Sequence, residues 1–383
     1  METPATPSNP LRVIIIGASY GGLSAAVNLL DLCTGRPARF TPSPPSHQPT
    51  TPIPLELTIL DERDGFFHTI GAPLALTNPK YTSPFWTHTS DITALQHPSV
   101  KFIHGSACSI DIHSQTLTLL ASGSSSRKTL PYDYLIVASG LRRAWPVVPQ
   151  ALRKSDYLDE VAAHISRLNT DVVVIGGGAV GVETATEVKH TYPLLNVTLI
   201  HSRSELLSSE PLPDQFKERV LHAVREAGVK VILNTRFDLE EPGSRYVIKA
   251  ISRPVPSTSF LPGQVLDKEG YVRVTELLNF GDSKRQFAVG DVTVVKGIKR
   301  CSSAMQMGYC AAVNIYRDVT GGEYMAMGEV YPGMGLAVGK TGLYWNPDDG
   351  IVVGEEALKE MFDDDLGWTK CWEYMNLGTP HGV

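Results

Sequence analysis

Gly17, Ser19 and Gly22, in the stretch VIIIGASYGG from Val13, have the spacing of a turn that brings backbone N–H groups up to a phosphate. Gly176, Gly178 and Gly181 repeat that spacing in VVVIGGGAVGVE. Such a turn places a pyrophosphate at a helix N-terminus, where the orphan N–H groups and the helix dipole favour an anion. In the first copy Ser19 stands at the point of closest approach. Serine is small and its hydroxyl can donate to a phosphate oxygen, so the site is altered rather than lost. Two copies predict two dinucleotide sites.

The surrounding residues supply the elements that such turns need. Each turn follows an apolar strand and opens a helix of small residues, and each helix is followed by a second strand, LTILDERD or VTLIHSRS. These are βαβ units, whose right-handed crossovers build parallel sheets. The second strand of the first unit arrives late, because seven prolines between Pro37 and Pro54 force a surface excursion. From Val100, short alternating segments predict a β-meander. PYDYLIVASG is a buried strand ending at Gly140, and FAVGD ends another at Gly290 and Asp291.

Composition narrows the partners. The 383-residue chain carries 34 Lys and Arg against 40 Asp and Glu, a net charge of −6, which argues against nucleic acid. Its five cysteines form no CxxC pair and the histidines no HExxH, so no metal site is expected and reduced thiols in the cytoplasm are. The N-terminus has no signal-peptide pattern, neither terminus carries a lipidation signal, and no apolar run could span a bilayer as an integral segment. The tail from Ile351 is acidic, with Trp368, Trp372 and Tyr374 expected in a core or interface.

The order GxSxxG, YDYLIVASG, GGGAVGVE, FAVGD resembles the flavoproteins of the pyridine-nucleotide oxidoreductase superfamily, and HTIGAPLAL resembles its apoptosis-inducing-factor-like, ferroptosis-suppressor-type branch, fungal members especially. The resemblance implies an α/β fold with two Rossmann-like domains. FAD would occupy a discontinuous domain (11–150 and 263–325), NAD(P)H an inserted one (151–262), with an α+β segment at 326–383. It implies a ribityl contact at Asp291 beside Gly290, an adenosine ribose contact at Asp61 or Glu62, and further FAD contacts at Arg63, Ala107, Ser139 and Gly140. Asp61 is preferred, since it directly follows LTIL, although it could also cap a loop. Glu183 matches the position that meets the nicotinamide, or else it favours the helix dipole. His68, Pro73 and Lys80 come from the flavin-lining segment, though His68 alone could be structural, and Ala304 with Gln306 from the acceptor border. The CxxxxC of disulfide reductases has no counterpart near GFFHTIGAPLAL.

The middle domain departs from the pattern, since only DLEEPGS separates Phe237 from RYVIKAISRPVPSTSFL, where relatives run through a second meander. His201 and Arg203 stand where an NAD site usually has an acid, which suits the 2′-phosphate of NADPH, unless both are solvated loop residues. The expected activity is hydride transfer from NAD(P)H through FAD to a quinone-like small molecule, by a possible homodimer. Alternatives are an FAD-dependent oxidase or biosynthetic enzyme whose shortened domain is a scaffold, and a non-enzymatic interaction protein.

Overall fold

The computed structural model describes residues 9–39, 51–146, 148–237 and 245–378. The middle of the proline-rich excursion, the whole of DLEEPGS and the last five residues lie outside them.

In chain order the first half holds β1 (Leu11–Ile16), α1 (Tyr20–Cys33), β2 (Leu55–Asp61), β3 (Val100–Asp111), β4 (Thr116–Ala121), β5 (Arg127–Pro131) and β6 (Tyr134–Val137). The middle holds β7 (Val172–Ile175), α2 (Ala179–Thr191), β8 (Val197–Ile200), α3 (Asp214–Glu226), β9 (Lys230–Ile232) and β10 (Tyr246–Lys249). The chain returns through β11 (Gln286–Ala288) and α4 (Cys301–Thr320). It ends with β12 (Met334–Val338), β13 (Thr341–Asn346), β14 (Gly350–Gly354), α5 (Glu355–Met361) and α6 (Trp368–Met375).

The protein is α/β, built on two parallel-rich sheets with Rossmann-like turns. The larger has the order β11-β6-β1-β2-β3-β4-β5. Its first five strands are parallel, with Val13 facing both Leu57 and Tyr134. β3 then changes partner: Val100–His104 run beside β2, and Gly105–Asp111 turn into the antiparallel meander with β4. Parallel strands covered on both faces need apolar residues on both, and Val13, Ile14, Ile15 and Ile16 are all buried. Each such side chain contributes about 1.5–3 kcal/mol on burial.

Every residue of α1 is buried, so its polar groups must be satisfied inside. Ser24 Oγ donates to the Met305 carbonyl at 2.6 Å, Asn28 Nδ2 to the Ser24 carbonyl at 2.8 Å, and Asp31 pairs with Arg39 at 2.6 Å. α4 crosses α1 so closely that a Cβ on Gly308 would lie 2.2 Å from the Gly21 carbonyl oxygen.

The smaller sheet has the order β9-β8-β7-β10, all parallel, with Val172 facing Val197 and Tyr246. Its closing strand β10 comes from RYVIKAIS. The two sheets are joined at Leu141–Arg142 and Val255–Pro256, which pair antiparallel. The C-terminal segment belongs to both halves. Leu336, Val338 and Leu343 pack into the core of the smaller sheet, whereas Trp368, Trp372 and Met375 pack into the core that surrounds α1. Tyr374 is exposed.

Candidate active site

Both glycine-rich turns open on one cleft of about 1640 Å³ between the two sheets and the C-terminal segment. In the first turn Gly17 has φ +108°, and a Cβ on Gly22 would lie 1.8 Å from the Gly17 carbonyl oxygen, so no side chain fits there. The second turn is built alike: Gly176 has φ +116°, and a Cβ on Gly181 would lie 1.7 Å from the Gly176 carbonyl. Ser19 caps α1 with extended backbone but makes no side-chain cap bond, and it lines the cleft. A Cβ on Gly178 would meet nothing within 4 Å, since that residue faces the open cleft.

Asp61 ends β2 beneath the first turn. Its Oδ2 accepts the Ala18 N–H at 2.5 Å and its Oδ1 the Arg63 N–H at 2.7 Å. Burial pushes its carboxyl up, against the pull of those N–H groups. Asp61 thus caps a loop and faces the cleft at once. Glu62 pairs with Arg142 at 2.6 Å, and Arg63 donates through Nη2 to the Pro149 carbonyl at 3.2 Å. Arg63 Nε is buried with no hydrogen-bond partner among the described residues.

Ala107 lines the cleft beside a register shift in β3. Ser139 lines it too, its Oγ donating to the Ser257 carbonyl at 2.7 Å, and Gly140 follows with φ +64°. Beside it, at the end of β11 next to β6, Gly290, at φ +76°, presents Asp291. Burial raises the Asp291 carboxyl, while Lys299 and Arg143 favour its charged form.

Around the second turn, His201 follows β8. Its Nδ1 accepts the Gly177 N–H at 3.1 Å, which leaves the proton on Nε2, 3.1 Å from Ser208 Oγ. Burial, then Arg203, lowers its pKa, so the ring is neutral. Arg203 is exposed and outside the cleft lining. Glu183 reaches the cleft from α2; its Oε1 accepts the Ala337 N–H at 3.2 Å, and burial pushes its carboxyl up to about 8. At neutral pH that group carries a proton.

Three expected residues stand elsewhere. His68 is buried behind the lining: Nε2 meets the Leu366 carbonyl at 3.0 Å and Nδ1 the Tyr20 hydroxyl at 3.0 Å. A carbonyl can only accept, so Nε2 carries the proton and Tyr20 donates to Nδ1. Burial lowers the His68 pKa to about 4, and its link with the cleft runs through Tyr20, which does line it. Lys80 is exposed, its ammonium over the Tyr81 ring at 4.9 Å. Ala304 and Pro73 line the cleft, but Gln306 is exposed on another face of α4.

The sequence reading missed two cysteines. Cys301, first residue of α4, and Cys371, in α6, both line the cleft wall. Both are free, and nothing in their spacing announces a place in the cleft. Among the described residues no cluster of His, Cys, Asp or Glu could hold a metal, and no helix is long and apolar enough to cross a membrane.

The profile of the pyridine nucleotide-disulphide oxidoreductase family matches residues 11–308. The chain belongs to that family. It is therefore an oxidoreductase, and FAD and NAD(P)H are the cofactors of the group it has joined. It is 43% identical to Oxidoreductase OXR1 of Ajellomyces capsulatus over 98% of this chain and 89% of that one. It is 28% identical to human Ferroptosis suppressor protein 1 over 82% of each. NDH2 from Plasmodium falciparum, solved in complex with NADH, superposes with a TM-score of 0.68 at 13% identity, over 96% of this chain and 97% of that one.

Proposed function

We propose that the protein is a cytoplasmic enzyme that passes hydride from NAD(P)H, through FAD, to a quinone-like small molecule. The observation that carries this reading is that both dinucleotide turns open on one cleft. When bound there, FAD supplies the hydride chemistry, and the chain supplies binding, orientation and charge.

The residues on the larger sheet fit such a group. Gly17 and Gly22 leave room for phosphate at the start of α1, Ser19 has a hydroxyl to donate, and Arg63 has an unused donor. Asp61 can accept ribose hydroxyls on lone pairs its two N–H bonds leave over, and Asp291 can do the same for a polyol chain. On the facing side Gly176 and Gly178 leave the second phosphate site open, and the protonated Glu183 carboxyl can donate to a carboxamide oxygen. His201 offers a neutral N–H in place of a carboxylate, which suits a 2′-phosphate, and Arg203 adds a cation within the same loop against the acid Glu210, which lines the cleft there.

The acceptor side of the cleft favours a flat apolar molecule with polar edges. Ile70, Pro73, Phe362 and Leu366 line it beside Tyr20 and Tyr374. The similarity to Ferroptosis suppressor protein 1 and Oxidoreductase OXR1 supports an oxidoreductase of this build.

The test is an anaerobic half-reaction series on the purified protein. The expected result is one FAD per chain, bleaching by NADPH, and recolouring by a short-chain quinone much faster than by oxygen. A protein that stays colourless after FAD is added would overturn the reading. Oxygen consumption with peroxide release, indifferent to quinone, would point instead to an oxidase.

A further inference from the structure

Tyr20 opens α1, one residue after Ser19, and lines the cleft while only 7% exposed. Its hydroxyl is committed to the buried side, donating to His68 Nδ1 at 3.0 Å. The imidazole is itself held in place. Its Nε2–H donates to the Leu366 carbonyl at 3.0 Å, and the Phe85 and Trp368 rings stand across it at 5.0 and 5.5 Å. A phenol in the cleft wall thus has a fixed, unprotonated base behind it.

That arrangement gives an electron and a proton separate exits. Losing one electron leaves a phenol cationic, and a buried cation is costly unless its proton leaves at once. His68 Nδ1 can take that proton along the existing hydrogen bond, and the Leu366 carbonyl then supports the imidazolium. Burial lowers the imidazole pKa to about 4, which keeps Nδ1 empty until the phenol is oxidised. Neighbouring rings lack this exit. Trp368, stacked on Phe66 at 5.7 Å, has a buried Nε1–H with no hydrogen-bond partner among the described residues, and the Trp372 Nε1–H meets the Gly378 carbonyl at 2.7 Å, which is no base. Tyr331 donates to the Asp348 carboxylate, but at 49% exposure a radical there would be open to reductants in solution.

We propose that Tyr20 is a redox-active tyrosine, coupled to His68, that passes single electrons to aryloxyl radicals entering the cleft. The radical, ArO•, takes one electron from the Tyr20 ring and one proton from water and leaves as ArOH. The phenolic proton of Tyr20 moves to His68 Nδ1, so a neutral tyrosyl radical stands beside an imidazolium. A one-electron reductant of the ascorbate type then returns the electron, and His68 returns the proton. Over the cycle, one ArO• and one hydrogen-atom equivalent from the reductant give one ArOH. His68 is a positioning residue and proton holder; Tyr20 is the group that meets the radical. The step uses neither NAD(P)H nor the hydride route proposed above.

The experiment mixes the purified protein, with the flavin it retains, with hexachloroiridate(IV), a one-electron oxidant, and freezes samples at successive times for EPR. The expected result is a tyrosyl signal that outlasts the oxidant and narrows when the protein carries ring-deuterated tyrosine. In deuterium oxide it should show a strongly coupled exchangeable deuteron, the one shared with His68. Nitric oxide added to the same sample should mark the peptide containing Tyr20. Tyr20→Phe should abolish the long-lived signal and the mark, and His68→Gln should shorten the life of the radical by an order of magnitude. No tyrosyl signal, a tryptophanyl signal, a mark on Tyr331 or Tyr374 in place of Tyr20, or a Tyr20 radical without the coupled deuteron would each overturn the proposal. The unaltered protein decides the matter alone, so a poorly folding variant cannot obscure it, and a protein that lacks flavin can be tested in the same way.

Discussion

The two glycine-rich turns perform the same backbone operation with different chemistry underneath. In each, the residue after the first glycine donates its N–H to a side chain at the end of the second strand: Ala18 to Asp61, and Gly177 to His201. Asp61 accepts two N–H bonds and retains lone pairs for a ligand; His201 accepts one and turns a donor outward. Two residues past the last glycine, Ser24 ties α1 to α4 at the Met305 carbonyl, whereas Glu183 faces the cleft and reaches only Ala337. The first turn is embedded in a core and the second stands at a wall. Under the proposed function, one geometry would serve a resident group on one side and an exchanging one on the other.

The sharpest way to break this pairing is steric. Gly22→Ala drives a Cβ into the Gly17 carbonyl and should cost about 3 kcal/mol, with loss of retained flavin. Gly181→Ala, strained as severely, should spare the flavin and abolish bleaching by NAD(P)H. Thermal unfolding and the visible spectrum of the purified variants distinguish the two.

Asp61→Ala should come next. It strands the Ala18 and Arg63 N–H groups, costing about 2 kcal/mol, and should release FAD on gel filtration. His201→Ala strands only the Gly177 N–H, so it should leave FAD in place and weaken nicotinamide binding severalfold in a titration.

Glu183 separates the turns by pH. Its carboxyl titrates at about 8 in the folded protein against an ordinary 4.5, so within that window the folded state holds a proton that the unfolded state has lost. Stability should therefore fall as pH rises, by up to about 1.4 kcal/mol per pH unit, and Glu183→Gln should remove that part of the slope. Glu187, raised to about 7, adds to the fall. His68 and His164, both held neutral down to about 4, give the opposite slope below 6.5. Urea unfolding between pH 6.5 and 8 isolates the carboxyl effect.

The smallest effect belongs to Arg203. Being exposed, it should favour NADPH over NADH by only about fivefold, and Arg203→Glu should erase that ratio in stopped-flow bleaching.

What could be read from the chain in advance was whatever lies within a few residues of a turn. Both glycine patterns, Asp61 at the end of LTIL, and Asp291 after FAVG are local, and the structure puts Gly17, Ser19, Gly176, Gly178, Asp61 and Asp291 in one cleft. The residues that elude such reading depend on distant packing. His68 follows an apolar pair, but only the fold brings Leu366 and Tyr20 to its two nitrogens. Gln306 sits two positions after Ala304, more than half a helical turn around, so the two cannot share a face. Cys301 and Cys371 have no motif because the chain between them must first build the C-terminal sheet before both reach the cleft wall.

That C-terminal segment has a consequence for how the molecule comes apart. Its strands are part of one core and its last helix is part of the other. Neither half can melt without tearing apolar surface from its neighbour, so heating should give a single calorimetric transition where two linked domains would ordinarily give two.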